Sequence, residues 1–487
     1  MGANLNLKPA LSFTSEILSA FPFDPTTGQK ELAEMLGVFI EDKNPRCVFV
    51  LKGYAGTGKT SFVSAMVRVL PMIRKKAILL APTGRAAKVL SGYAGQPAWT
   101  IHKRIYFQRM GRDGSIALVL QKNLYKNALF IVDEASMIAG SYRENDHVFS
   151  SRNLLDDLME YVAEGESCKL LLIGDAAQLP PVGMPVSPAL DLEFLKSRYD
   201  LKIYDYELTE VMRQSLESGI LFNATRMRDI IASGEVSFPL FNLNNRKDVI
   251  RITGEDLEDL LHTAFSSVDP AESVIVCRSN KRANMFNREI RNRILFLENE
   301  ISSGDCLMVV RNNYFWLEPQ SGPGFIANGD IIEVLGIRYT EDLYGFRFAD
   351  ATIRLVDYPD EPTLDVKILL DVLMADTPAL PDEAQKKLFN NVLDEFNDIP
   401  QRALRFEKVR TNPYYNALQV KFAYALTCHK TQGGQWQHVF IDQGYLKDEM
   451  IDYEYLRWLY TALTRATQTV YLLGFQEKFF LINNLLC

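Results

Sequence analysis

Cys47-Val-Phe-Val-Leu51, then Gly53-Tyr-Ala-Gly-Thr-Gly-Lys59-Thr60, then an apolar-periodic run over residues 62–70: this stretch decides the fold. A short apolar run that ends on a glycine-rich turn and opens directly into an amphipathic helix reads as a buried strand feeding a phosphate loop. The spacing Gly53-x-x-x-x-Gly58-Lys59-Thr60 completes that pattern. Glycines let successive backbone N–H groups converge on a phosphate, a lysine at this place reaches the terminal oxygens, and the following hydroxyl can ligate Mg²⁺. The nucleotide site is therefore assigned to Gly53, Ala55, Gly56, Thr57, Gly58, Lys59, Thr60 and Ser61.

Outward from the loop, short apolar runs recur at residues 77–81, 129–132, 170–173 and 201–206, mostly ending on polar or glycine residues, as buried parallel strands do. Asp133-Glu134 closes the run at 129–132. A carboxylate at the carboxyl edge of a strand can hold Mg²⁺, and a second one beside it can polarise water against a γ-phosphate. A second series of strand-like runs lies at 273–277, 418–423, 439–441 and 469–473, with helical patterns over 280–295 and 453–464. The chain reads as two α/β units in tandem, and its 487 residues suit about three domains or subdomains.

Two stretches break the alternation and read as insertions. Residues 104–110 and 116–120 form β-prone arms around the turn Gly111-Arg-Asp-Gly114, a hairpin signal. Residues 302–411 hold β-like pieces and an acidic helical stretch over 382–398, which predicts a small barrel-like subdomain.

The formal net charge of −8 argues on its face against a polyanion ligand. Charge is unevenly placed, however. Residues 356–398 carry 11 acidic and 3 basic side chains, which accounts for the whole excess. Three windows, 98–127, 278–293 and 401–432, each carry 6 basic residues against 1 acidic and are candidate phosphate-contacting surfaces. The six cysteines are scattered, with no C-x-x-C pair, so neither a zinc site nor a disulfide framework is expected. No apolar run is long enough to span a bilayer and the N-terminus lacks a signal-peptide pattern, so the expectation is a cytoplasmic protein, nucleoid-associated in a bacterial host, with no membrane partner.

The segment 53–61, the Asp133-Glu-Ala-Ser136 box, Gly174-Asp-Ala-Ala-Gln178, Val211-Met-Arg213-Gln, Cys428-His-Lys-Thr-Gln-Gly433 and Tyr460-Thr-Ala-Leu-Thr-Arg465 stand in the order of superfamily 1 helicase motifs. The chain most resembles the RecD and Dda branch, from about Gln29 to Gly474. That resemblance implies two RecA-like parallel-sheet domains with ATP between them and a nucleic-acid strand across their tops. The implied division is residues 1–215 for the first RecA-like domain, with the hairpin insertion at about 98–127. The second takes 216–301 and 412–487, and 302–411 forms a small SH3-like β subdomain.

By the same resemblance, Gln29 would recognise adenine, Lys59 and Glu134 would serve hydrolysis, and Thr60 and Asp133 would hold the metal. Gln178 would sense the γ-phosphate or orient water, and Arg213 and Arg465 would be arginine fingers. Thr83 and Arg85, then Thr100, His102 and Lys103, then Thr427, His429 and Lys430 resemble strand-tracking segments. Tyr106 and Phe107 are expected together on one side of the hairpin, where rings could stack at a duplex junction or instead pack the hairpin onto its own domain. Gln435 departs from the glutamate common in the family, which puts its ribose contact in doubt.

The implied activity is an ATP- and Mg²⁺-dependent motor that moves 5′→3′ on single-stranded DNA and unwinds forked duplex. Two other readings stay open: a motor on both RNA and DNA, and a DNA-stimulated ATPase switch that acts through a replication or recombination protein docked on the acidic insertion.

Overall fold

The computed structural model describes residues 7–110, 116–140, 153–211, 218–244, 246–267, 270–318, 321 and 324–481. Its first half contains β1 (Cys47–Gly53), β2 (Lys76–Ala81), β3 (Ala98–Thr100), β4 (Tyr106–Met110), β5 (Ile116–Leu120), β6 (Ala128–Val132), β7 (Lys169–Gly174) and β8 (Lys202–Leu208). Six of them form one parallel sheet in the order β3-β2-β6-β7-β1-β8. Alternation along β1 shows why its run is apolar throughout. Cys47, Phe49 and Leu51 enter the core on one face, and Val48 and Val50 enter the core on the other. A strand covered by helices on both faces has no solvent side to carry polar residues.

The second half contains β9 (Val249–Ile252), β10 (Ser273–Cys277), β11 (Cys306–Val309), β12 (Ile331–Leu343), β13 (Phe346–Leu355), β14 (Leu364–Leu369), β15 (Leu418–Phe422), β16 (Ala425–Thr427), β17 (Trp436–Asp442) and β18 (Ala466–Leu473). Five make a second parallel sheet, β16-β10-β17-β18-β9. The others close a barrel, β11-β12-β13-β14-β15. The expected layout of two parallel-sheet units, a hairpin and a small inserted β subdomain is present.

The boundaries need correction. The run at 418–423 reads as a strand of the second sheet, yet β15 pairs antiparallel with β11 and parallel with β14, so it belongs to the barrel. Its alternation Leu418, Val420, Phe422 against Gln419 and Lys421 is the period of a barrel wall, not the unbroken apolar run of a doubly covered strand. The barrel thus reaches Phe422, beyond the expected limit of 411, and only Ala423 and Tyr424 separate it from β16. The first hairpin arm starts at Tyr106 because Ile101–Ile105 is a short helix capped by Thr100. Its turn at 111–115 lies outside the described residues. Among the described residues no helix is long and apolar enough to cross a membrane. Cys47, Cys168, Cys277, Cys306 and Cys428 are buried.

Candidate active site

Sheet order brings three loops together that lie far apart in sequence. Because β6, β7 and β1 are neighbours, Asp133-Glu134, Asp175–Gln178 and the loop 53–60 leave the same edge side by side. The carboxyl edge of a parallel sheet is where α/β folds place their ligands. The loop then enters the helix Lys59–Val69 through Gly58, whose φ of 85°, like the 77° of Gly56, lies in the left-handed region that glycine adopts without steric cost. A Cβ at Gly53 would stand 3.1 Å from the Lys59 side chain, so that side chain can fold back over the loop. There Lys59 Nζ donates to the Gly53 carbonyl at 2.6 Å and the Tyr54 carbonyl at 2.8 Å. Thr60 is exposed on the cleft side, whereas Thr57 is buried and its hydroxyl donates to Tyr54.

Gln29 is fully buried. Its amide oxygen accepts from the Thr26 N–H at 3.0 Å in a capping box, and its amide nitrogen donates to the Thr57 carbonyl at 3.3 Å. It thus ties the preceding helix to the phosphate loop.

The acidic pair is set by hydrogen bonds and backbone strain. Asp133 accepts the Tyr93 hydroxyl on one oxygen and the Glu134 N–H, at 2.9 Å, on the other. Glu134 has φ 53°, a left-handed conformation that costs a non-glycine residue on the order of 1–3 kcal/mol and that turns it off the line of β6. Withdrawal from water raises the Glu134 pKa, Asp133 and Asp175 add to the rise, and Arg465 and Lys59 oppose it. A carboxylate with a raised pKa beside a lysine and an arginine is suited to accept a proton during hydrolysis.

The second sheet unit completes this cluster. Arg465, 4% exposed, follows the helix Tyr453–Leu463 and places Nη1 4.0 Å from Glu134 Oε1. Its Nε donates to the Thr461 carbonyl at 3.0 Å and its Nη2 to the Thr464 hydroxyl at 3.1 Å, which orients the guanidinium. Gln178 is 7% exposed and its side-chain oxygen has no hydrogen-bond partner among the described residues. A buried acceptor is costly to leave unpaired, so this oxygen is open to a water or a ligand atom. Arg213 lies outside the described residues.

The donors left for a divalent cation are the Thr60 hydroxyl and the Asp133 carboxylate, both hard oxygens. That set fits Mg²⁺, which takes few protein ligands and keeps water and phosphate oxygens for the rest.

Farther along the same edge, after β2 and β3, the expected strand-contacting residues have structural work. Thr83 caps the helix Gly84–Ala94 by accepting the Ala86 N–H at 3.2 Å, and Thr100 caps Ile101–Ile105 by accepting the Lys103 N–H at 3.2 Å. Arg85 stacks on Trp436 with its Cζ 4.0 Å from the ring centre and donates to the Gln435 carbonyl at 3.0 Å, so it joins the two sheet units. Gly433 faces the same helix, and a Cβ there would lie 2.8 Å from Ala86. Burial lowers the His102 pKa to about 4, which keeps the imidazole neutral. Lys103 lies over Trp99 at 4.4 Å, and burial lowers its pKa to about 8. On the second unit, Thr427 and His429 are half-buried. Lys430 Nζ is buried with no hydrogen-bond partner among the described residues, and burial brings its pKa to about 7.

The hairpin rings do not share a side. Tyr106, 8% exposed, packs into the core and donates its hydroxyl to the buried Asp157 at 2.6 Å, while Phe107 is 46% exposed. Neighbouring strand residues point to opposite faces, so the expectation of both rings on one side is corrected, with Tyr106 in the core and Phe107 at the surface.

Sequence reasoning assigned no role to Tyr93, Asp175 or Tyr460. Asp175 and Tyr460 lie inside the quoted motifs, which was a usable signal. Tyr93 sits in an ordinary helix pattern, and only its contact with Asp133 shows it.

Residues 27–237 match the family model described as an AAA domain, and residues 422–473 match the UvrD-like helicase C-terminal domain. The chain is 24% identical over 477 residues to the ATP-dependent DNA helicase dda of Enterobacteria phage T4, covering 92% of this chain and 99% of that one. It is 29% identical over 199 residues to the ATP-dependent RecD2 DNA helicase of Deinococcus radiodurans, covering 40% of this chain and 24% of that one. Among solved structures it resembles Pif1 helicase from Bacteroides in complex with ADP-AlF3 and ssDNA, with 15% identity, 92% of each chain covered and a TM-score of 0.45.

Proposed function

We propose that this chain is an ATP-dependent DNA helicase of superfamily 1, of the RecD and Dda type, that moves 5′→3′ on single-stranded DNA and opens forked duplex, with the residue roles that follow. The observation that carries the mechanism is the reach of Arg465 to within 4.0 Å of Glu134, because it makes the hydrolytic site an assembly of both sheet units.

Lys59 and the N–H groups of the loop hold the β- and γ-phosphates. Glu134 takes the proton of the attacking water, and the unpaired oxygen of Gln178 orients that water. Arg465, with Arg213, stabilises charge on the equatorial oxygens, which ties turnover to docking of the second unit. Thr60 and Asp133 are the residues that would hold Mg²⁺, which would supply charge neutralisation at the phosphates. Strand contacts come from the β2 and β3 edge and from the segment 427–430, through groups that track phosphate without reading sequence. The location that fits is the cytoplasm, at the nucleoid in a bacterial host.

Strand displacement on duplexes with a single 5′ or 3′ tail tests motor, substrate and direction together. The expected result is ATP-dependent release from the 5′-tailed duplex only. Release from the 3′-tailed duplex alone would reverse the polarity, and RNA tails serving as well as DNA tails would support the dual-substrate reading.

A further inference from the structure

We propose that Tyr460 and Thr461, adjacent on the helix Tyr453–Leu463, form a positioning latch that places Gln178 and Arg465 relative to each other, so that the hydrolytic geometry exists only while the two sheet units are docked. The proposal rests on the helicase reading above and adds two residues to it.

Tyr460 is 1% exposed. Its hydroxyl accepts the Ala55 N–H of the phosphate loop at 2.9 Å and donates to Asp175 Oδ2 at 2.6 Å. One phenol from the second unit thus joins two loops of the first. Asp175 uses its other oxygen to accept the Ala177 N–H at 2.9 Å, and its carbonyl accepts the Gln178 N–H at 3.3 Å. The carboxylate that Tyr460 holds is therefore the one that shapes the turn presenting Gln178.

The far side of Gln178 is held from the same unit. Thr461 Oγ1 accepts the Leu179 N–H at 2.9 Å, and Gln432 Nε2 donates to the Leu179 carbonyl at 2.6 Å. The Thr461 carbonyl in turn accepts Arg465 Nε at 3.0 Å. A single residue thus touches both the arginine finger and the backbone next to the water-orienting glutamine. Among the described residues the Gln178 side-chain oxygen has no partner of its own, so its place follows that backbone. Every bond from Tyr460, Thr461 and Gln432 to the turn crosses between the sheet units, so separating the units leaves the turn only its internal bonds from Ala177 and Gln178 to Asp175.

Tyr460→Phe keeps the ring and removes the hydroxyl. ATPase rates at saturating DNA, with nucleotide affinity from a fluorescent ATP analogue, give the readout. The expected result is a kcat lowered about 10-fold with KM and analogue affinity within about twofold, the split of a group that acts in the transition state and not in ground-state binding. Thr461→Val should show the same split, and Thr461→Ser, which keeps the acceptor, should restore kcat to within about twofold of wild type.

Unchanged kcat in Tyr460→Phe, or equal loss of kcat and affinity, overturns the latch. So does a Thr461→Ser enzyme as slow as Thr461→Val. Should Tyr460→Phe fail to fold, the Thr461 pair alone decides. Wild-type hydrolysis that DNA does not stimulate would overturn the helicase reading and the latch with it, whereas stimulated wild type with an equally active Tyr460→Phe removes the latch alone.

Discussion

Along the carboxyl edge of the first sheet, Glu134 and Gln178 in the half built on β6, β7 and β1 are held differently from Thr83, Thr100 and Arg85 in the half built on β2 and β3. In the first half Glu134 is held on a left-handed backbone and Gln178 keeps an unpaired oxygen. In the second half Thr83 and Thr100 spend an acceptor on helix caps, and Arg85 is stacked between the sheet units. Unsatisfied polar tips are available for chemistry at a cost in stability, whereas satisfied ones stabilise the fold and offer a ligand only what remains. Substitutions in the first half should therefore change turnover and leave folding intact, and those in the second should change both.

The largest effect expected is at Glu134. Glu134→Gln should bind ATP as wild type does and lose at least ~10²-fold in turnover, a usual scale for losing acid–base assistance. A variant turning over near the wild-type rate would break the contrast at its strongest point. Lys59→Ala, by comparison, should weaken nucleotide binding and turnover together.

Next come the arginines. Arg465→Ala, and Arg213→Ala by the same reasoning, should cut DNA-stimulated kcat by about 10-fold or more with a smaller change in ATP affinity. Equal loss in the two quantities, measured by steady-state kinetics and direct nucleotide binding, would make them ground-state binders.

The hairpin sharpens the comparison, since its two rings differ in burial. Phe107→Ala should reduce duplex unwinding several-fold while translocation and ATPase stay near wild type, because an exposed ring can stack on a base for about 1–3 kcal/mol. Tyr106→Ala should instead lower the melting temperature, at a cost of about 3 kcal/mol or more for emptying a core aromatic site. If both variants unwind and melt alike, the two sides of the hairpin are not distinct.

The smallest effect is a pH dependence at Lys430. Burial disfavours its ammonium and lowers the pKa to about 7, and an adjacent phosphate would favour the charged form. Strand binding should then take up a proton above pH ~7 and weaken by about two- to threefold from pH 7 to 8. Lys430→Arg, which stays charged, should flatten that slope in fluorescence-anisotropy titrations. An identical slope in both proteins would remove Lys430 from the strand path.

Much of the nucleotide half was legible because its chemistry is local in sequence. A strand, a glycine turn and a helix over residues 47–69 carry the whole phosphate loop, and Asp133-Glu134 sits directly on a strand end. The misreadings arose where the deciding partner is remote. Tyr106 and Phe107 look equivalent until Asp157, 51 residues away, claims the Tyr106 hydroxyl. The run at 418–422 looks like a sheet strand until β11 and β14 close the barrel on it. Tyr93 carries no pattern at all, since its meaning is one hydrogen bond to Asp133 across 40 residues.

The sequence by itself determined two parallel-sheet units, the inserted hairpin and barrel, and the glycine loop and acidic pair at the strand ends, because period, glycine spacing and strand-end carboxylates are properties of neighbouring residues. Only the tertiary structure decided which of those groups meet. Strand order, not chain order, sets β6, β7 and β1 side by side, and docking of the second unit carries Tyr460, Thr461 and Arg465 onto loops that lie hundreds of residues earlier in the chain. Hydrogen bonds and charge contacts act over a few ångströms of space, so separation along the chain says nothing about them until the fold has brought the partners together.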